Sequence, residues 1–170
     1  SIVTFTGTGA TTTVGHGLGV KPSLFIIKNR SATSNWFTYT DVIDGSLDFL
    51  YLNSTDAKID SGLSAPTTSV FTVNSSTAPN TNTIIAYCFA EKQGYSKFGS
   101  YIGNGNANGA FIYTGFKPAW VLIKRSDGAT NWRLFDSKRS GFNGDTSQLY
   151  PNLTNAEDSA GGEIDLLSNG

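Results

Sequence analysis

Apolar residues in this chain gather in short runs bounded by Gly, Pro, Asn and Ser, and strong helix formers are sparse. Runs of this kind predict strands. In the first half they are IVTFT (2–6), SLFIIKN (23–29), NWFTYT (35–40), FLYL (49–52), SVFTV (69–73) and TIIAYCFA (83–90). The second half offers FGSYI (98–102), FIYT (111–114), AWVLIKR (119–125), NWRLFD (131–136) and EIDLLS (163–168). Side chains alternate across a strand, so Trp36, Thr38 and Thr40 are expected on one face and Phe37 and Tyr39 on the other. The runs Leu24 to Ile27 and Trp120 to Ile123 do not alternate, which predicts a central strand covered on both faces. Lys28 and Lys124 then read as solvent-facing ends of those runs. Pro22 and Pro118, which cannot donate to a ladder, mark where the strands begin.

Two of these stretches say nearly the same thing. GVKPSLFIIKNRSATSNWFTYT (19–40) and GFKPAWVLIKRSDGATNWRLFD (115–136) align at an offset of 96 positions, Gly19 against Gly115. Upstream, Phe5, Gly7 and Gly9 fall on Tyr101, Gly103 and Gly105 at the same offset. Downstream YLNSTDA (51–57) falls on YPNLTNA (150–156) at an offset of 99, which a loop insertion accommodates. A repeat of this length predicts an all-β chain of two tandem antiparallel β-sandwich units, jelly-roll or lectin-like, at residues 1–94 and 95–170. The run TIIAYCFAE (83–91), which closes the first unit, has no counterpart in the second, so the second unit is expected to be incomplete. With no Met in the sequence, the chain also reads as an internal piece of something longer.

Charge narrows the classes of function. The net charge is −1, and the 12 Lys and Arg are scattered among 13 Asp and Glu. Nucleic-acid binding, which needs clustered positive charge, is therefore not expected. No apolar run approaches the roughly 18 residues of a membrane-crossing helix, so no membrane insertion is expected. Cys88 lies inside the most apolar run and reads as a buried small hydrophobe.

Candidate chemistry is thin. Trp36 and Trp132 occupy the repeated position; each is either a core anchor or an exposed platform for a sugar ring, with Asn131 and Asp136 as hydroxyl-binding partners of the second. The glycine-rich GTGAT and GNGNANG segments sit between no strand and helix, so they read as turns and not as a phosphate cradle. His16 is the sole histidine, and its equivalent is Ile112, so no metal or cofactor site is expected. GEIDLLS (162–168) resembles the Glu-x-Asp-x-x-Glu strand of laminarinase-type glycoside hydrolases, with Glu163 and Asp165 in place but Ser168 where the third carboxylate would stand. A two-carboxylate mechanism lacks its acid there, and the chain reads as non-enzymatic.

The stretch from AYCFAEKQGYSKFGSYIGNGNANGAFIYTGFKPAWVLIKR through SDGATNWRLFDSKRS (86–140), with QLYPNLTNAE and EIDLLSNG, resembles a family of bacteriophage virion proteins of marine phages, described as tail or fibre proteins. IVTFTGTG, GHGLGVKPSLFIIKNR, NWFTYT and YLNSTDA carry the resemblance in the first half. It implies a virion surface component, a tail fibre, head fibre or decoration protein, with host-surface recognition as its purpose. Its partners would be other virion proteins, further copies in a homotrimer and a host surface glycan. A lectin-type carbohydrate-binding module is the alternative, and a polysaccharide depolymerase using Glu163 and Asp165 a more distant one.

Overall fold

The computed structural model describes residues 1–139, 147–159 and 164–170. Among them the chain is all-β: β1 (Ile2–Thr6), β2 (Thr12–Gly15), β3 (Leu24–Asn29), β4 (Phe37–Thr40), β5 (Asp48–Tyr51), β6 (Ile59–Asp60), β7 (Val70–Val73), β8 (Thr83–Phe89), β9 (Trp120–Ile123) and β10 (Arg133–Asp136). One six-stranded sheet runs in the order β1-β8-β3-β4-β5-β6, and every neighbouring pair is antiparallel. β8 is thus a central strand, held between β1 and β3. β2 pairs with β7, and β9 with β10, as separate two-stranded ribbons.

Period-2 alternation decides where the core lies. Phe25 and Ile27 of β3, Phe37 and Tyr39 of β4, and Ile84, Ala86 and Cys88 of β8 share one face of the sheet, and the ribbon's Val14, Phe71 and Val73 pack onto that face. The result is two layers over one core. Phe71 is the keystone of the upper layer, fully buried, with its ring 5.0 Å from Phe25 and 6.2 Å from Phe5. The non-alternating run in β3 is central, as its pattern predicts, but only its Phe25 and Ile27 side is fully buried; Leu24, Ile26 and Lys28 remain half-exposed on the outer face.

The turn into β8 demands glycine. A Cβ on Gly7 would lie 2.0 Å from the carbonyl oxygen of Pro79. Gly7 N–H donates to Asn82 O (2.8 Å) and Thr81 N–H donates back to Gly7 O (2.9 Å). The glycines after β1 therefore serve close backbone approach.

The pairing in the second half follows the sequence offsets. β3 and β4 pair Leu24 with Thr40 and Phe25 with Tyr39; β9 and β10 pair Trp120 with Asp136 and Val121 with Phe135, each partner displaced by 96. The isolated bridges Leu134 to Leu149 and Gln148 to Asp158 match the ladder pairs Thr38 to Leu50 and Phe49 to Ile59. Residues 98–102 and 111–114, expected as strands, form none. Residues 98–102 correspond to β1, which in the first half is held by β8. Of the expected strand 163–168, Glu163 lies outside the described residues and residues 164–168 belong to no named strand. The second half rests instead on the first: Lys58 N–H donates to Ser126 O (2.8 Å), and Thr130 N–H donates to Thr55 O (2.9 Å).

Two outcomes follow from this core. Replacing Phe71 with Ala should cost about 3–5 kcal/mol in denaturant unfolding, because it removes a large ring and leaves a cavity. Burial pushes the Cys88 thiol from its ordinary 9.0 up to about 11. In the folded chain it should therefore stay inert to a disulfide reagent at pH 8 and react fully once denatured. The unfolded thiol ionises first, so this group's contribution is present below about pH 9 and is lost as pH rises toward about 11.

Candidate functional site

On the outer face of the sheet, opposite the core, Trp36 stands just before β4 and lies half-exposed. Its ring lies 6.4 Å from that of Tyr87 on β8, tilted by 26°. The Lys28 ammonium sits 5.5 Å from the Trp36 ring centroid and donates to Ser34 O, so its position is fixed from two sides. These groups, with Ile85 and the loop at residues 29–33, line an open depression of about 690 Å³. The loop is preorganised. Asn29 Oδ1 accepts from Ser31 N–H (2.8 Å) and Ala32 N–H (3.2 Å). Thr83 N–H at the start of β8 donates to Ser31 Oγ (2.8 Å), while Arg30 N–H donates to Thr83 O (2.8 Å). An aromatic face, two cations from Lys28 and Arg30, and hydroxyls from Ser31 and Thr33 therefore converge without any carboxylate in the lining.

The equivalent tryptophan behaves differently. Trp132 is only 4% exposed, and its indole Nε1–H donates to Tyr51 O (2.9 Å), which pins the second half to β5. It is an anchor, and the sugar-platform role considered for it fails because its ring is covered. Asn131 serves a bracket: its Oδ1 accepts from Asn152 Nδ2–H (2.9 Å), and Trp132 N–H donates to Asn152 Oδ1 (2.9 Å). Asn35, Trp36 and Asn53 make the same bracket in the first half at 3.0 Å and 2.9 Å. Asp136 lies at the far end of β10 from Asn131, in an ion pair with Arg139 Nε (2.6 Å). The structure thus does not gather Trp132, Asn131 and Asp136 into one site.

The family described as a domain of unknown function, DUF7483, matches residues 1–170. The chain belongs to the DUF7483 family. No curated protein and no solved structure matches it.

The sole histidine of this DUF7483 chain has structural partners. His16 is buried; Leu18 N–H donates to its Nδ1 (3.2 Å), so Nε2–H donates to Thr67 O (3.2 Å), and both ring nitrogens are used. Asp165 is exposed, while Glu163 lies outside the described residues. Among the described residues no three His, Cys, Asp or Glu side chains come together as metal ligands, and no helix is long and apolar enough to cross a membrane. Lys28 and Lys124 are not the free surface ends that their positions predict. The Lys124 ammonium donates to Arg125 O (2.7 Å), Thr55 O (3.3 Å) and Gly128 O (3.4 Å), and its burial holds it below the usual lysine range.

Lys28, Arg30 and Tyr87 are the members of the depression that strand assignment alone passes over. The signal was present: alternation along TIIAYCFA puts Ile85 and Tyr87 opposite Ile84, Ala86 and Cys88, on the face that carries Trp36. The two tryptophans should separate in experiment. Trp132→Ala should lower unfolding free energy by about 3–5 kcal/mol, and Trp36→Ala by about 1 kcal/mol. Urea titrations of the two variants measure the difference.

Proposed function

We propose that this chain is a non-catalytic adhesive module of a virion surface, built from two copies of one β-unit, that meets a host-surface saccharide at the depression beside Trp36. The half-exposed Trp36 ring, flanked by Tyr87 and Lys28, carries this reading. Sugar rings present C–H faces that lie on aromatic rings, while their hydroxyls take hydrogen bonds from the surrounding polar groups. Lys28 and Arg30, with no acid in the lining, favour a saccharide bearing carboxylate, sulfate or phosphate groups. The resemblance to marine phage tail and fibre proteins supports the virion setting, in which other virion proteins and further copies of the chain would be its partners. The fold alone supports no function, since β-layers of this kind carry many.

The test is binding of the fluorescently labelled chain to a panel of neutral and acidic polysaccharides and to the bacterial cells that bear them. Saturable binding to an acidic polysaccharide is expected, weakened at least tenfold by Trp36→Ala and by raised salt, with Trp132-dependent stability unchanged. Equal binding by the wild type and Trp36→Ala, or no binding by the folded chain, would contradict the reading.

A further inference from the structure

We infer that the surface around Trp36 docks a second copy of this chain, which enters with its turn at residues 150–157 and so makes a head-to-tail contact. The two halves of one chain already display this contact. Trp132 Nε1–H donates to Tyr51 O (2.9 Å), Thr130 N–H to Thr55 O (2.9 Å) and Lys124 Nζ to Thr55 O (3.3 Å), while Lys58 N–H donates back to Ser126 O (2.8 Å). At the offset of 96, Lys124, Ser126, Thr130 and Trp132 correspond to Lys28, Arg30, Ser34 and Trp36. Of these, Lys28, Arg30 and Trp36 line the depression, and Ser34 O holds the Lys28 ammonium. The surface by which the second half seats on the first is thus the same one that the first half presents beside Trp36.

The other side of the contact names the occupant. At the offset of 99 the turn YLNSTDAK (51–58) corresponds to YPNLTNAE (150–157). The two turns are built alike. Asn53 Oδ1 accepts from Trp36 N–H and Asn152 Oδ1 from Trp132 N–H, both at 2.9 Å, while Ser54 N–H donates to Tyr51 O (3.2 Å) and Leu153 N–H to Tyr150 O (3.0 Å). Exposure differs between equivalents in the sense that docking requires. Trp132 is buried and Trp36 half-exposed; Ala57 and Lys58 of the occupied turn are half-buried, and Ala156 and Glu157 are exposed.

Charge favours the contact between copies. Within the chain Lys58 meets Ser126; between copies Glu157 would meet Arg30, in a lining that holds no carboxylate of its own. Glu157 accepts from Arg139 Nη1 (2.5 Å), and its side chain stays 44% exposed. Because the two surfaces differ, the contact is heterologous and extends copies into a row. Docking covers the Trp36 ring, so only the copy at one end of a row would present it to a saccharide. That masking rests on the saccharide reading, whereas the docking does not.

Sedimentation velocity of the full 170-residue chain is the test. The weight-average mass should rise with concentration, past that of two copies. Trp36→Ala removes one surface and Ala156→Arg, at an exposed position, blocks the other. Each variant should stay monomeric alone, and the two mixed should form a one-to-one pair and nothing larger, because each keeps the surface that the other lacks. A wild type that is monomeric at every concentration, association unchanged by Ala156→Arg, or mixed variants that do not pair would each overturn the inference. Ala156→Arg leaves the Trp36 surface open, so it should bind the acidic polysaccharide at least as well as the wild type. Association of the wild type with no polysaccharide binding by either form would support the docking and contradict the saccharide reading; polysaccharide binding by a wild type that never associates would do the reverse.

Discussion

The six-stranded sheet depends on β8 having two partners. A strand inside a sheet must pair both rows of its backbone groups, because no water reaches them there. β8 meets this in full: β1 and β3 take its edges, and Ile84, Ala86 and Cys88 close the core against Phe25, Ile27 and the overlying Phe71. Its outer face, through Tyr87 and Ile85, forms one wall of the depression beside Trp36. One strand thus serves the fold on one side and the candidate contact surface on the other.

The described strands of the second half keep the local pattern of the first. β9 and β10 keep the register of β3 and β4, and the Asn131 and Asn152 bracket reproduces that of Asn35 and Asn53. These features are local, made between segments close in sequence, and they form where their partners are near. The counterpart of β1, FGSYI, and the following FIYT do not form strands, although both are good strand sequences. The ribbon is joined to the first half through Trp132 Nε1–H to Tyr51 O and the backbone bonds at Thr55 and Lys58.

This contrast explains what was legible in the sequence. All-β character, the location of β1, β3, β4, β5, β7, β8, β9 and β10, the faces of Phe37 and Tyr39, and the burial of Cys88 follow from period and composition, because each is set by residues on the strand itself. β2 was hidden, since TTVG reads as part of a glycine-rich turn and is a strand only because β7 lies beside it. The two tryptophans show the limit most directly. They occupy one repeated position, yet Trp132 is buried against Tyr51 while Trp36 faces a depression; the difference lies in what packs on the outer face, which no local pattern encodes. Lys28 and Lys124 likewise end apolar runs in the same way, but their ammonium groups go to carbonyls that only the folded loops bring near.

Native-state hydrogen exchange over the whole chain tests the dependence on β8 most directly, because it resolves the opening free energy of each ladder. If β8 is the constraint on which the rest depends, amides of β3, β4 and β8 should exchange only through global unfolding, and those of β9 and β10 much faster, through an opening that leaves the first half intact. Protection of β9 and β10 equal to that of β8 would contradict it.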